Sequence, residues 1–290
     1  AAAGLPMVED RKNPCLTTTY GVGELILQAA KRGVKKIIVG LGGSCTNDFG
    51  CGAAYACGVR FYDKNGESFM PVGETLCNVE RIDISQKSKE LDGIEIVTMC
   101  DIDNPPYGEN GAAYVFARQK GADDAAIELL DRGVEHICNV VNRQLGSDIS
   151  KLSGGGAAGA MGAGMVVFFG SVLKMGIETV LDTVGFSQIV KDADMVITGE
   201  GKIDSQSLRG KVVIGVSRAS KQFGVPVIAV VGGADGDMSE AYKEGVTAIF
   251  PINRLPQDFS VSRHHSAENL AFALENILRL FRTSDANRNI

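Results

Sequence analysis

Met195-Val196-Ile197-Thr198-Gly199-Glu200-Gly201-Lys202-Ile203-Asp204-Ser205-Gln206-Ser207 reads as a short apolar run that opens into a glycine-punctuated acidic loop and then a helix. That order puts carboxylates at the carboxyl edge of a sheet, where open α/β folds bind ligands. Glu200, Lys202, Asp204, Arg209 and Lys211 all fall within this loop and the first turn of the next helix. Metal-binding and phosphate-binding groups therefore converge there, although the same charges also suit a solvated turn. Downstream, a strand over 226–231, a helix near Ser239, a strand over 248–252 and a final helix over 267–281 follow in alternation. Such spacing predicts parallel strands joined by right-handed crossovers.

Three earlier segments repeat the theme of a strand followed by a special loop. Ile37-Ile38-Val39 precedes Gly40-Leu41-Gly42-Gly43-Ser44-Cys45-Thr46-Asn47-Asp48 and a small-residue helix. Glycines let a backbone approach phosphate closely, and the N–H groups at a helix start favour anions, so Gly42, Gly43, Ser44, Thr46 and Asn47 are candidate phosphate ligands. The loop is neither a Walker A sequence nor Gly-x-Gly-x-x-Gly. A strand over 94–99 leads into Cys100-Asp101-Ile102-Asp103-Asn104-Pro105-Pro106, whose acids at a strand end can supply a general base or metal ligands. A polar turn satisfying its own backbone is the alternative. Finally, Ser153-Gly154-Gly155-Gly156-Ala157-Ala158-Gly159-Ala160 holds more glycine than a helix tolerates without close packing or ligand approach.

Taken in order, these four segments resemble the type I glycerate kinases. That family carries Gly-Gly-Ser-Ala-Thr-Asn-Asp-Gly-Gly, Cys-Asp-Val-x-Asn-Pro, Pro-Gly-Ala-Gly-Ala-Ala-Gly-Gly and Gly-Glu-Gly-Arg-x-Asp-x-Gln-Ser blocks. The resemblance extends to the stretch from Asn13-Pro14 through Thr17-Thr18-Thr19-Tyr20-Gly21-Val22-Gly23-Glu24-Leu25-Ile26 and to Phe116-Ala117-Arg118-Gln119-Lys120-Gly121-Ala122, so it covers nearly the whole chain. Cys45, Phe49, Pro106, Ser153 and Lys202 stand where the family usually has Ala, Gly, Leu, Pro and Arg. Phe49 beside a phosphate loop is the departure expected to narrow the cradle. The chain also begins after the family's opening Asp-Ser-Phe-Lys-type and Ala-Asp-Gly-Gly-Glu-Gly segments, so it reads as a form shortened at the N-terminus.

The fold implied is two α/β domains: residues 1–185 as an inserted mixed α/β domain with glycine-rich loops, and 186–290 as the C-terminal part of a Rossmann-like parallel-sheet domain. The function implied is ATP-dependent phosphorylation of glycerate to 2-phosphoglycerate. Asp101 is then the base, Lys202 and Arg209 counter developing charge, and Glu200 and Asp204 bind Mg2+. Gly154, Gly155 and Gly156 join the phosphate loop as a second backbone site for nucleotide or carboxylate. A catalytically impaired fragment that only binds ligand or self-associates is the alternative reading. A nucleotide-dependent oxidoreductase lacks its fingerprint.

Composition sets bounds. A net charge of −6 over 290 residues, without a long basic run, argues against nucleic acid or an anionic membrane as main partner. No segment has the roughly 18 consecutive apolar residues of a membrane span, so the expected location is the cytoplasm. Seven scattered cysteines with no Cys-x-x-Cys predict reduced, mostly buried thiols, and His136 reads as structural.

Overall fold

The computed structural model describes residues 2–204 and 211–288, with side chains as far as Arg282. It is an α/β structure with two parallel sheets and one small antiparallel sheet. Two compact units divide it, Ala1–Gly176 and Ile177–Ile290.

The first unit runs α1 (Tyr20–Lys31), β1 (Lys36–Gly40), α2 (Cys51–Ala56), β2 (Arg60–Tyr62), β3 (Ser68–Phe69), β4 (Arg81–Asp83), β5 (Glu95–Met99), α3 (Ala112–Phe116), α4 (Asp124–Leu145), α5 (Ala157–Phe169) and β6 (Val172–Lys174). Its main sheet has the order β1-β5-β6, all parallel, with Ile37 opposite Ile96 and Val97 opposite Val172. β-branched residues favour the pleated surface, and helices packed over it supply the cover that a parallel sheet needs. Helix α4 starts where the Asp123 carboxylate accepts the Ala126 N–H at 2.8 Å, and it stops at Gly146 with φ +68°. Its buried stripe includes Val134, Ile137 and Val141, the helical spacing that buries one face. Phe168 of α5 meets Phe49 and Phe61 edge to face at 6.0 and 5.6 Å, closing the core between α5 and the antiparallel sheet.

The second unit runs α6 (Gly176–Thr183), α7 (Phe186–Val190), β7 (Val196–Ile203), α8 (Val212–Lys221), β8 (Val227–Ala234), α9 (Ser239–Lys243), β9 (Val246–Pro251), α10 (Phe259–Ser262) and α11 (Ser266–Arg288). Its sheet is β7-β8-β9, again parallel. Val213 and Ile214 of α8 cover one side of β8 through Ala229 and Val231, while Ile277 of α11 packs on Ile228 and Val230 of the other. Burying a side chain such as Ile277 contributes about 1.5–3 kcal/mol.

One local expectation changes. The stretch Thr198–Ile203 is strand rather than loop, because Gly199, Glu200, Lys202 and Ile203 pair with Val230, Val231, Gly233 and Ala234. Gly199 serves the sheet: a Cβ there would lie 2.4 Å from the Val230 carbonyl oxygen.

Candidate active site

In the first unit, β1, β5 and β6 end on the same side because they are parallel, so the segments that follow them emerge together. They enclose a cavity of about 380 Å³. Gly42, Gly43 and Ser44 line it after β1, Asp101 after β5 and Gly176 after β6, with Lys120 closing the side. The structure thus brings Asp101 to the same cavity as the first half of the glycine-rich loop. Asp101 is exposed, and its Oδ1 accepts the Gly176 N–H at 2.7 Å. That bond fixes the carboxylate at the cavity wall.

Thr46 and Asn47, the other half of the loop, are fully buried. Among the described residues, Thr46 Oγ1 and both polar atoms of the Asn47 amide have no hydrogen-bond partner. Unsatisfied buried groups cost about 1–3 kcal/mol each, so native folds hold few of them. Asp48 anchors the loop from below. Its carboxylate accepts the Thr19 N–H at 2.7 Å, the Thr19 hydroxyl at 2.8 Å and the N–H groups of Gly50 and Gly52 at 3.2 and 3.3 Å. Burial pushes this carboxyl upward while those hydrogen bonds pull it back.

The expected obstruction by Phe49 is absent. Its ring has no exposed surface and lies in the core against Phe168, reached through a left-handed backbone at φ +57°. Ala158 and Ala160 share that unusual conformation, at φ +54° and +64°. The two strained stretches touch: Phe49 N–H donates to the Gly159 carbonyl at 3.1 Å, and a Cβ on Gly159 would lie 2.1 Å from the Thr46 carbonyl oxygen. Only glycine permits that approach.

Gly154, Gly155 and Gly156 are buried against the segment that carries Asp101. A Cβ on Gly156 would lie 2.3 Å from the Pro105 carbonyl oxygen, and one on Gly154 would lie 2.9 Å from Cys100 Sγ. Their freedom is used for protein contact, with Gly156 N–H donating to Asn104 O at 2.9 Å.

Lys120 is the residue that sequence reasoning missed. It ends a single 3-10 turn over Arg118–Lys120, capped by Gly121 at φ +98°. Only 2% of its surface is exposed, and its ammonium donates to Ser44 Oγ at 3.0 Å and Thr46 O at 2.7 Å. Burial pushes it down to about 8, against the upward pull of Cys45 and Asp48. Nothing in the local pattern of residues 116–122 marks an inward lysine.

In the second unit, Glu200 and Lys202 lie on β7 and Asp204 directly after it. Lys202 pairs with Asp235, beyond the end of β8, at 2.8 Å, and this partner raises the lysine while lowering the aspartate. An extended strand rises about 3.3 Å per residue, so Glu200 and Asp204 have Cα atoms roughly 13 Å apart. Arg209 lies outside the described residues. Among the described residues, no group of three or more His, Cys, Asp or Glu could by itself hold a metal ion, and no helix is long and apolar enough to cross a membrane.

Helix-covered parallel sheets, with a ligand-sized cavity at one carboxyl edge, define an α/β protein of the open-sheet, ligand-binding kind. The model of the glycerate kinase family matches residues 1–282. A glycerate kinase of Bacillus cereus is 42% identical over 97% of this chain and 74% of its own length. A glycerate 2-kinase of Escherichia coli is 42% identical over 87% of this chain and 66% of its own. A solved structure provisionally described as glycerate kinase 2 from Salmonella typhimurium LT2 matches with a TM-score of 0.84 at 38% identity, covering 99% of this chain and 75% of that one. The chain belongs to the glycerate kinase family, and spans 66% to 74% of the length of the two relatives named.

Proposed function

We propose that the protein catalyses transfer of the γ-phosphoryl group of ATP to the 2-hydroxyl of glycerate, giving 2-phosphoglycerate and ADP. The observation that carries this reading is the shared cavity, in which a fixed carboxylate, Asp101, stands with the glycine-rich loop Gly42–Ser44. Phosphoryl transfer needs positioning and charge neutralisation more than covalent chemistry. In this scheme Asp101 accepts the proton of the substrate hydroxyl as its oxygen attacks the γ-phosphorus, and ADP leaves with the electron pair of the broken P–O bond. The backbone around Gly42, Gly43 and Ser44 receives the phosphoryl oxygens, and Thr46 and Asn47 underpin that loop. Gly154, Gly155 and Gly156 hold the Asp101 segment in place, which supports a positioning role.

Glu200 and Asp204 offer hard oxygen donors, and Mg2+ commonly takes one or two carboxylates and completes its shell with phosphate and water. Their Cα atoms, roughly 13 Å apart along an extended strand, are too far apart for both carboxylates to reach one ion at about 2.1 Å, so the pair does not fit a shared Mg2+ site. Lys202 and Arg209 are the cations of that segment, and Asp235 orients Lys202.

Steady-state ADP release with glycerate tests the scheme through Asp101→Asn. Asn keeps the shape and the neighbouring contacts but cannot take a proton, so turnover should fall ~10²–10⁴-fold while ATP affinity holds. Unchanged turnover removes Asp101 from the mechanism.

A further inference from the structure

The wall of the 380 Å³ cavity carries one cation and one carboxylate among its described residues, Lys120 and Asp101. The only other ionisable group there is the Cys100 thiol, which burial pushes upward and keeps neutral. A volume near the lower end of the roughly 300–1,000 Å³ range of ligand pockets suits a small acceptor better than a whole nucleotide.

Lys120 is unusual within this wall. A buried ammonium normally faces a carboxylate, because desolvating an unpaired charge is expensive. Here its two contacts, Ser44 Oγ and Thr46 O, are neutral. An ammonium has three N–H donors, and these contacts use two. Asp48, the carboxylate whose charge acts on it, is committed to Thr19, Gly50 and Gly52. A charge held in a cavity wall, with a donor to spare and no carboxylate against it, is a site for an anion.

We propose that Lys120 receives the carboxylate of the acceptor substrate, and so makes the cavity select hydroxy acids over neutral polyols. This rests on the reading of the Asp101 cavity as the acceptor site. A hydroxy acid has two ends of different chemistry, and the wall offers a matching group for each: the ammonium for the carboxylate, Asp101 for the hydroxyl. The depressed proton affinity of Lys120 supports the assignment, since a bound carboxylate would restore the missing counter-charge.

Calorimetric titration of the chain with glycerate, with its neutral amide glyceramide and with ATP tests this in wild type, Lys120→Met and Lys120→Arg. Loss of a charge-assisted hydrogen bond should weaken glycerate roughly 10- to 100-fold in Lys120→Met. Glyceramide and ATP affinities should stay within about two-fold, and Lys120→Arg should keep part of the preference for the acid. If Lys120 only pins the loop at Ser44 and Thr46, Lys120→Met weakens glycerate and glyceramide alike, and the proposal falls. It also falls if the variant discriminates acid from amide as well as wild type does. Should Lys120→Met fail to fold, proton uptake decides. Wild type binding glycerate should take up protons between about pH 8 and pH 10.5, seen as a buffer-dependent enthalpy, and zero uptake across that whole window overturns the assignment. A wild type that binds and phosphorylates glycerate without any acid preference refutes the role of Lys120 alone, whereas one that binds no glycerate refutes the cavity reading and this proposal together.

Discussion

Lys120 makes the stability of the first unit depend on pH in a calculable way. Its fall from the ordinary 10.5 to about 8 corresponds to about 3 kcal/mol, at about 1.4 kcal/mol per pKa unit. Between those two values the unfolded chain holds more protons at this lysine than the folded chain does. Stability must therefore rise with pH across that window. Integrating from about pH 7 to about pH 9.5 gives a gain of about 2 kcal/mol, the rest arriving only nearer pH 11. Subtracting the same curve for Lys120→Met removes the groups common to both chains. Cys45 and Asp48 are the titratable groups that act directly on Lys120, so the comparison is made on a Cys45→Ala background to stop the thiol from titrating. All seven cysteines lie within Ala1–Gly176, which makes thiol labelling a probe of that unit alone. Urea unfolding is read by pulse-labelling Cys51 and Cys138, both buried, after a jump to a common pH. A wild-type-minus-variant difference that stays flat between pH 7 and 9.5 would refute the claim that Lys120 is desolvated.

Two further perturbations use the same assay. Asp48→Asn turns one acceptor oxygen toward Thr19, Gly50 and Gly52 into a donor facing donors, so the first unit should lose about 2–3 kcal/mol; a loss below about 0.5 kcal/mol would show that the loop is held by other means. Ala158→Gly removes a left-handed alanine that is only partly buried, so the unit should gain about 0.5–1 kcal/mol, and a loss of stability would show that the alanine is not strained.

The loops at the strand ends were legible because glycine, aspartate and β-branched residues announce themselves over a few neighbouring positions. Ile37-Ile38-Val39 and the run to Met99 became β1 and β5, and their parallel pairing brought Gly42–Ser44 and Asp101 to one cavity. The same local cues misplaced the end of β7, where Gly199 and Gly201 look like loop residues until Gly199 is seen opposite Val230 and Lys202 opposite Gly233 across the sheet. Lys120 was illegible for a different reason. Its two partners lie 76 and 74 residues away in sequence, and no local pattern distinguishes a lysine turned inward beside a glycine from one left in solvent. Asp235 was hidden in the same way, being 33 residues from Lys202.

The strained residues explain why such a lysine can be held at all. Left-handed non-glycine residues cost about 1–3 kcal/mol each and persist only where surrounding structure over-determines them. Here Asp48 ties the loop to Thr19, Phe49 locks into the core against Phe168, and its N–H reaches Gly159 between two left-handed alanines. Those constraints fix the carbonyl of Thr46 and the hydroxyl of Ser44, which are the two acceptors of Lys120. A slack loop would let the ammonium swing out to water, which is the cheaper state for an unpaired charge. Holding it inward therefore requires a rigid neighbour, and the strain, the unpartnered Asn47 amide and the buried lysine are parts of one arrangement. Below about pH 8, where the lysine is charged, an anion bound in the cavity would offset the lysine's share of that cost, because a ligand that binds the folded form alone stabilises it in proportion to its occupancy.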